Sequence, residues 1–412
     1  MGSWSARRAI VVGRAVRLRD GYGPKVPIRC PVLVDEDRAA ELAAASAGWP
    51  SARLTRAQLA DLELLLLGAF GPAPSYPEDT LRDGLRLPSL VVPAREAAGL
   101  GAGDALALRE PTGELVAALR VAGVRRRGGP VDADKERTAA LARTASRVEP
   151  DRQPEPSGRA RLVGTVAGLR LPSHPDYPSL RLGPIELRAA LAELGWLRPG
   201  RSAPWAVWAD GLLHTADIAR IRALTRQGKY CVVLAPVGGA DPADRRYQLR
   251  VRALLAALDA LDEPVRPTEA TLAAAPLAAE ATGAPVAPPT RTPTRVGSGQ
   301  PAHALLVLVP VVPSPELAAP REPGLSATSP RGAATGDDTG TAARAAELSA
   351  LRAHLAEFYG LGGSLTGPAL GAPGRGELAA LLTAGRPIPA ELTPPGVAAE
   401  LARAHAEGWL LG

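Results

Sequence analysis

Apolar and polar positions along this chain recur with two periods, and each change of period marks an element. Thr55 reads as the N-cap of a helix that runs through Asp61-Leu62-Glu63-Leu64-Leu65-Leu66-Leu67 and stops at Gly68. Leu85 to Val92 has the character of a strand. Leu106–Arg109 and Leu115–Val121 predict a hairpin around Glu110-Pro111-Thr112-Gly113. Several short strands with tight turns predict a small β-rich domain. Residues 127–158 are polar and charged and end in Glu149-Pro150-Asp151-Arg152-Gln153-Pro154-Glu155-Pro156, a linker or exposed insertion. Beyond it the pattern changes. An amphipathic helix over Pro184–Leu194, a strand at Trp205–Trp208, a helix over Thr215–Arg226, a strand at Tyr230–Ala235 and a helix over Asp244–Leu261 follow in turn. With a third apolar run at Ala304–Val309, this alternation predicts a parallel α/β sheet. Residues 313–341 are mostly Pro, Ser, Thr, Gly and Ala and read as disordered or a long loop. A helix from about Ala342 to Phe358, a Gly-rich stretch over Gly360–Gly376 and two short helices ending near His405 complete the chain. No internal repeat is present.

The length of 412 residues suggests two to three domains. Only 3% of the residues are aromatic, so the cores must be built from Ala, Leu and Val. The 43 glycines and 42 prolines follow no Gly-X-Y period, which excludes collagen, and the bias resembles that of a GC-rich genome. The net charge of +6 is mild. Its one dense basic run, Arg125-Arg126-Arg127, stands beside Gly128-Gly129 without aromatics and reads as a solvated strand end or loop, so no nucleic-acid partner is expected. Cys30 and Cys231 give neither metal spacing nor a disulfide framework, which points to a reducing cytoplasm. No apolar run reaches the ~18 residues of a membrane span, and Arg7, Arg8, Arg14 and Arg17 break up the N-terminus, so neither a membrane partner nor a signal peptide is expected. His174, His303, His354 and His405 share no useful spacing, and no Ser/His/Asp, Walker-type or zinc pattern occurs. No metal is expected, and no residue stands out as catalytic.

Three separated segments resemble the ATP sulfurylase (sulfate adenylyltransferase) family. The first is Asp61-Leu62-Glu63-Leu64-Leu65-Leu66-Leu67-Gly68-Ala69-Phe70-Gly71-Pro72, similar to an element of that family's PUA-like N-terminal domain. The second is Leu171-Pro172-Ser173-His174-Pro175-Asp176-Tyr177 with Leu180–Arg188 and Leu194-Gly195-Trp196, which resembles the lead-in to the catalytic strand. The third is Leu381–Pro389 with Pro394–Ala398, near the C-terminus. The resemblance implies a PUA-like domain and linker over 1–150, a Rossmann-like nucleotidyltransferase-type domain over 159–312, the loop 313–341, and a helical C-terminal segment over 342–412.

The segments that match bear on fold; those that carry the family's chemistry depart from it. The family's Gln-x-Arg-Asn-Pro-x-His-x-x-His, which holds sulfate and the ATP phosphates, reads here Trp208-Ala209-Asp210-Gly211-Leu212-Leu213-His214-Thr215-Ala216-Asp217. Trp208 replaces Gln, Asp210 replaces Arg, Gly211 replaces Asn and Asp217 replaces the second His, while His214 is kept. The family's Met-Arg pair aligns with Ala279-Glu280, a second charge reversal, and its Gly-Arg-Asp-His-Ala-Gly has no counterpart after the strand Leu305–Val309. His214 and Gly211 lie at a strand-to-helix junction, where free N–H groups can hold phosphate; His214 is either a nucleotide contact or an inherited residue without a ligand. Asp217 either orients that imidazole or a metal, or caps the helix. Gly238-Gly239 before a helix, with Arg245 and Arg246 beyond, could cradle a phosphate or serve only as a turn. The resemblance therefore implies a divergent, nucleotide-related protein with ATP as ligand or substrate and an altered sulfate site. The alternative is a non-catalytic paralogue acting as a binding or assembly subunit, either homo-oligomeric or beside a sulfur-metabolism enzyme.

Overall fold

The computed structural model describes residues 31–127, 158–197, 202–262, 304–312, 338–366, 373 and 375–408. Glu280, Cys30, His303, the four N-terminal arginines and most of the expected loop 313–341 lie outside the described residues.

Helix α1 (Glu36–Ala45) and strand β1 (Ser51–Arg53) lead into α2 (Arg56–Leu66). Thr55 caps α2 as expected. Its Oγ1 accepts the Gln58 N–H at 3.2 Å, and its own N–H donates to Gln58 Oε1 at 2.8 Å, so two otherwise open N–H groups of the first turn are closed. The helix ends at Gly68, which takes the left-handed conformation with φ 84°. Next come β2 (Ser75–Tyr76) and a two-stranded hairpin of β3 (Leu81–Arg82) and β4 (Leu85–Arg86), turned by Asp83 and Gly84. The single strand expected over Leu85–Val92 does not form. Pro88 interrupts it, having no N–H for a ladder, and pairing resumes in β5 (Leu90–Pro93).

The expected hairpin is β6 (Ala105–Arg109) with β7 (Leu115–Arg127). The arginine run is the end of β7, where Arg125 pairs with Glu78. Strand β8 (Arg159–Gly168) then pairs antiparallel along β7, and the first sheet has the order β1-β6-β7-β8-β2 with β5 also on β8. Strand β8, which begins at Arg159 where a second domain is expected to start, therefore belongs to the first sheet. Ala160, Leu162 and Val166 alternate into the same core as Leu106, Leu108 and Leu119, and that period of two assigns β8 to the first sheet.

The second sheet is parallel throughout. After helix α3 (Pro184–Glu193) come β9 (Trp205–Trp208), α4 (Thr215–Arg226), β10 (Cys231–Pro236), α5 (Arg245–Asp262), β11 (Ala304–Val309), α6 (Asp338–Phe358) and β12 (Gly363–Leu365), then α7 (Arg375–Thr383) and α8 (Pro395–Ala406). The strand order β11-β10-β9-β12 is that of a Rossmann-like sheet, with a topological switch point between β9 and β12. β10 and β11 are buried along their whole length, as their unbroken apolar runs require. Two expectations change. Helix α6 begins at Asp338 rather than near Ala342, and the Gly-rich stretch contributes β12, so the C-terminal segment is part of this sheet. Glycine permits that edge to close: a Cβ on Gly363 would lie 2.9 Å from the Trp205 indole.

Side chains of the sheet divide by alternation. Val207, Cys231, Val233, Leu306 and Leu308 meet α4, α5 and α8. Ala206, Trp208, Val232, Leu234, Leu305 and Val307 meet α3, α6 and, through Leu64 and Leu67, α2. Helix α2 thus serves both cores and binds the two sheets together. Trp205 and Trp208 fall on opposite faces, as three-residue spacing on a strand dictates.

Candidate functional site

The carboxyl ends of parallel strands, at the switch point, are where open α/β sheets hold ligands. Here that edge is built from the ends of β9 and β10, the starts of α4 and α5, and the loop preceding α3. Trp208, the last residue of β9, turns its indole into the core, with Nε1 enclosed and without a hydrogen-bond partner. Two residues on, Asp210 forms an ion pair through Oδ1 with the guanidinium of Arg352, which reaches in from α6 and lies over the Trp208 ring at 5.9 Å from its centroid. Both side chains of the pair are largely enclosed, 10% exposed for Arg352 and 14% for Asp210. The Asp210 carboxylate is therefore neutralised within the chain. Gly211 follows in open space: a Cβ there would touch nothing within 4 Å.

His214 is the N-cap of α4 and is buried. Asp217 does not face outward. Its Oδ2 accepts the His214 backbone N–H at 3.0 Å, so it caps the helix, the plainer of the two expected roles. The His214 ring meets Thr393 Oγ1 through Nδ1 at 2.9 Å, and Thr393 is fully buried. Burial lowers the His214 pKa, with the Asp217 charge working in the opposite direction, so the ring is neutral near pH 7. The next donor is also taken: Thr215 N–H goes to Leu392 O at 3.2 Å, and its Oγ1 donates to Ala390 O at 2.7 Å. The segment before α8 thus covers the N-terminus of α4.

The glycine pair after β10 is a packing turn. Gly238 donates its N–H to Val311 O at 2.7 Å, and a Cβ on it would lie 2.6 Å from the Val311 carbonyl carbon and 2.9 Å from Ala60 Cβ. Gly239 has φ 80° and rests on Ala57. Arg245 and Arg246 stand exposed at the start of α5, where the Arg246 N–H donates to Asp244 Oδ1 at 2.9 Å. One turn on, Arg250 bridges the strand ends by donating to Pro236 O at 2.7 Å and Ala209 O at 2.6 Å.

The loop carrying the second family-like segment locks onto α5. Asp176 takes Arg181 at 2.8 Å and the Tyr247 hydroxyl, and Tyr177 Oη donates to Gln248 at 2.6 Å. Burial opposes the ionised form of Asp176, but the hydrogen bonds from Tyr247 and Arg181 outweigh it and hold its pKa below the usual carboxylate value. The first and second family-like segments also meet. His174 Nε2 lies 2.8 Å from Glu63 Oε2, and His354 of α6 bonds Ala69 O at 2.7 Å while stacking on Phe70.

Arg352 is the residue of this edge that sequence reasoning missed; nothing in the spacing of α6 distinguishes it from other helix arginines. Among the described residues no cluster of His, Cys, Asp and Glu could hold a metal, and no helix is long and apolar enough to cross a membrane.

No family model matches the chain. It is 28% identical over 235 residues to a sulfate adenylyltransferase of Eremothecium gossypii, a match covering 54% of this chain and 45% of that protein, so the chain corresponds to about half the length of this relative. A solved structure of similar fold is a hexameric APS kinase from Thiobacillus denitrificans, with TM-score 0.58 and 20% identity over 91% of this chain and 66% of that one.

Proposed function

We propose that this chain is a divergent ATP-sulfurylase-like protein of sulfur metabolism, a PUA-like domain joined to a Rossmann-like nucleotidyltransferase-type domain, that is nucleotide-related but does not adenylylate free sulfate. One observation carries the reading: the end of β9, where the resembling family presents an arginine to sulfate, presents Asp210, and Arg352 is already bound to it. In a working member the sulfate oxygen attacks the α-phosphate of ATP and pyrophosphate leaves, with the protein supplying position and cationic stabilisation. Here the cation at that strand end is neutralised, and His214 is neutral rather than an imidazolium. ATP remains the ligand to expect, with Gly211, His214, Arg245 and Arg246 the residues nearest the edge that would receive it.

A second reading, a non-catalytic binding or assembly subunit, is favoured by the covering of α4 by the segment around Leu392, which occupies the Thr215 N–H that a phosphate would use. The hexameric state of the similar kinase makes self-association, or association with a sulfur-metabolism enzyme, the assembly to look for.

Radiolabelled pyrophosphate exchange into ATP, with and without sulfate and beside an active sulfurylase, tests the main reading. The expected result is no sulfate-dependent exchange above the blank. Robust sulfate-dependent exchange would falsify it.

A further inference from the structure

Residues 171–181, the loop between β8 and α3, are tied to elements of both sheets. The Ser173 N–H donates to Glu110 Oε1 at 3.0 Å, in the turn of the β6–β7 hairpin, and His174 Nε2 lies 2.8 Å from Glu63 Oε2 on α2. Asp176 and Tyr177 then reach α5, through the Tyr247 hydroxyl and Gln248. Arg181 closes the link by donating to Asp176 Oδ2 at 2.8 Å and to Tyr247 Oη at 3.0 Å. The loop is seated at a cost. Tyr177 has φ 46° and ψ 48°, a left-handed backbone that a tyrosine rarely adopts and that the following Pro178 disfavours further. Asp176 Oδ1 is enclosed without a hydrogen-bond partner, in a side chain only 8% exposed. We infer that residues 171–181 form a strained strap with two states: closed, with Tyr177 left-handed and Asp176 latched to Tyr247 and Arg181, and open, with Tyr177 returned to extended backbone and the strap lifted from α5.

The latch and the strain oppose each other. Hydrogen bonds to a charged group hold the closed state, while the left-handed residue and the unfilled carboxylate oxygen favour release. Pro175 and Pro178 stiffen the backbone on either side, so Tyr177 is the hinge. Opening withdraws Leu180 from the core it shares with Leu306 and Leu308, and it removes one wall of the carboxyl edge. The inference concerns the loop and not what the edge binds, so it stands apart from the proposed function.

The test is thiol labelling of the full chain under native conditions. Leu180→Cys on a Cys30→Ser background places a thiol on the buried side of the strap, and Cys231, fully buried in the second sheet, reports global unfolding of the same molecule. The introduced thiol is expected to label while Cys231 stays unlabelled. Tyr247→Phe, which removes the hydroxyl of the latch, is expected to raise that rate about tenfold or more. The strain is read from Tyr177→Ala against Tyr177→Gly. Both lose the ring, but only alanine keeps the left-handed penalty, so the glycine variant is expected to label about fivefold or more slowly. At an unstrained position the more flexible glycine would label faster. Labelling of Leu180→Cys only together with Cys231, an unchanged rate in Tyr247→Phe, or a glycine variant that labels faster than the alanine variant would each overturn the inference. Should Leu180→Cys fail to fold, hydrogen exchange of residues 171–181 in the chain with its native Leu180 reads the same opening. Faster exchange in Tyr247→Phe confined to this loop supports the strap, and exchange no faster than that of β10 in every variant overturns it.

Discussion

Gly238→Ala is expected to destabilise the protein by about 3 kcal/mol, at the upper end of the range for overpacking a filled core. The added methyl would lie 2.6 Å from the Val311 carbonyl carbon, 2.9 Å from Val311 O and 2.9 Å from Ala60 Cβ. Two of these atoms are backbone and cannot rotate away. The turn cannot retreat either, because the Gly238 N–H is tied to Val311 O at 2.7 Å and the Val237 N–H to Val309 O at 3.0 Å. Relief would require α2 and the end of β11 to separate, which opens the seam between the two sheets. Gly239→Ala is a control with a different cause. Its nearest neighbours are atoms of Ala57 at 3.5 Å, so only its left-handed backbone at φ 80° is strained, at about 1–2 kcal/mol. Urea unfolding of the two variants measures both. The opposite pattern, a stable Gly238→Ala protein with weakened ATP binding, would restore the glycine pair as a phosphate cradle and remove it from the packing account.

The contrast between these two roles shows what one sequence can and cannot disclose. The series β9-α4-β10-α5-β11 is legible because its strands are unbroken apolar runs and its helices repeat near every fourth residue. Strand β8 is harder to see, because it emerges from a long polar stretch and starts with exposed arginine. β12 is harder still: three residues, one of them a glycine retained for contact with Trp205. In the site, the chemical types at Trp208, Asp210, His214 and Asp217 are visible in the sequence, and so is the capping position of Asp217. Their partners are not. Arg352 lies 142 residues from Asp210, and Thr393 lies 179 from His214. A charge reversal can be read from one position; the cation that compensates it exists only once α6 has packed against the sheet. The charge reversal at Asp210 is therefore legible in the sequence, and its compensation by Arg352 is not.

Asp61→Asn is expected to stabilise the protein in alkaline solution and to leave it nearly unchanged in acid. Asp61 lies on α2 within the first family-like segment, and burial raises its pKa from 3.8 to about 7. Its neighbour Tyr76 is fully buried and is likewise raised, by burial first and then by the Asp61 charge. The sign follows from proton binding. Below the unfolded value near 4 both states hold the proton and the residue is neutral to stability. As the pH rises the unfolded chain releases it while the folded chain retains it, so stability falls until the folded pKa is passed and then levels off. At 1.36 kcal/mol per pH unit, a separation of about three units sets an upper bound of roughly 4 kcal/mol, and partial exposure of Asp61 brings the expected loss to about 2–3 kcal/mol. Asparagine cannot ionise and removes that slope. Other groups act in the opposite sense: His214, held below its ordinary value by burial, loses stability as the pH falls within this interval, and Asp176, also held below its ordinary value, does so only in stronger acid. They are present in both proteins and cancel in the difference, so the quantity to measure is the stability of Asp61→Asn minus that of the wild type, by urea unfolding at intervals from pH 4 to 8. It should be near zero at pH 4, grow through pH 6 and reach about 2–3 kcal/mol at pH 8. A difference that does not change with pH would mean that Asp61 ionises freely in the folded protein and that its carboxyl is hydrated rather than buried.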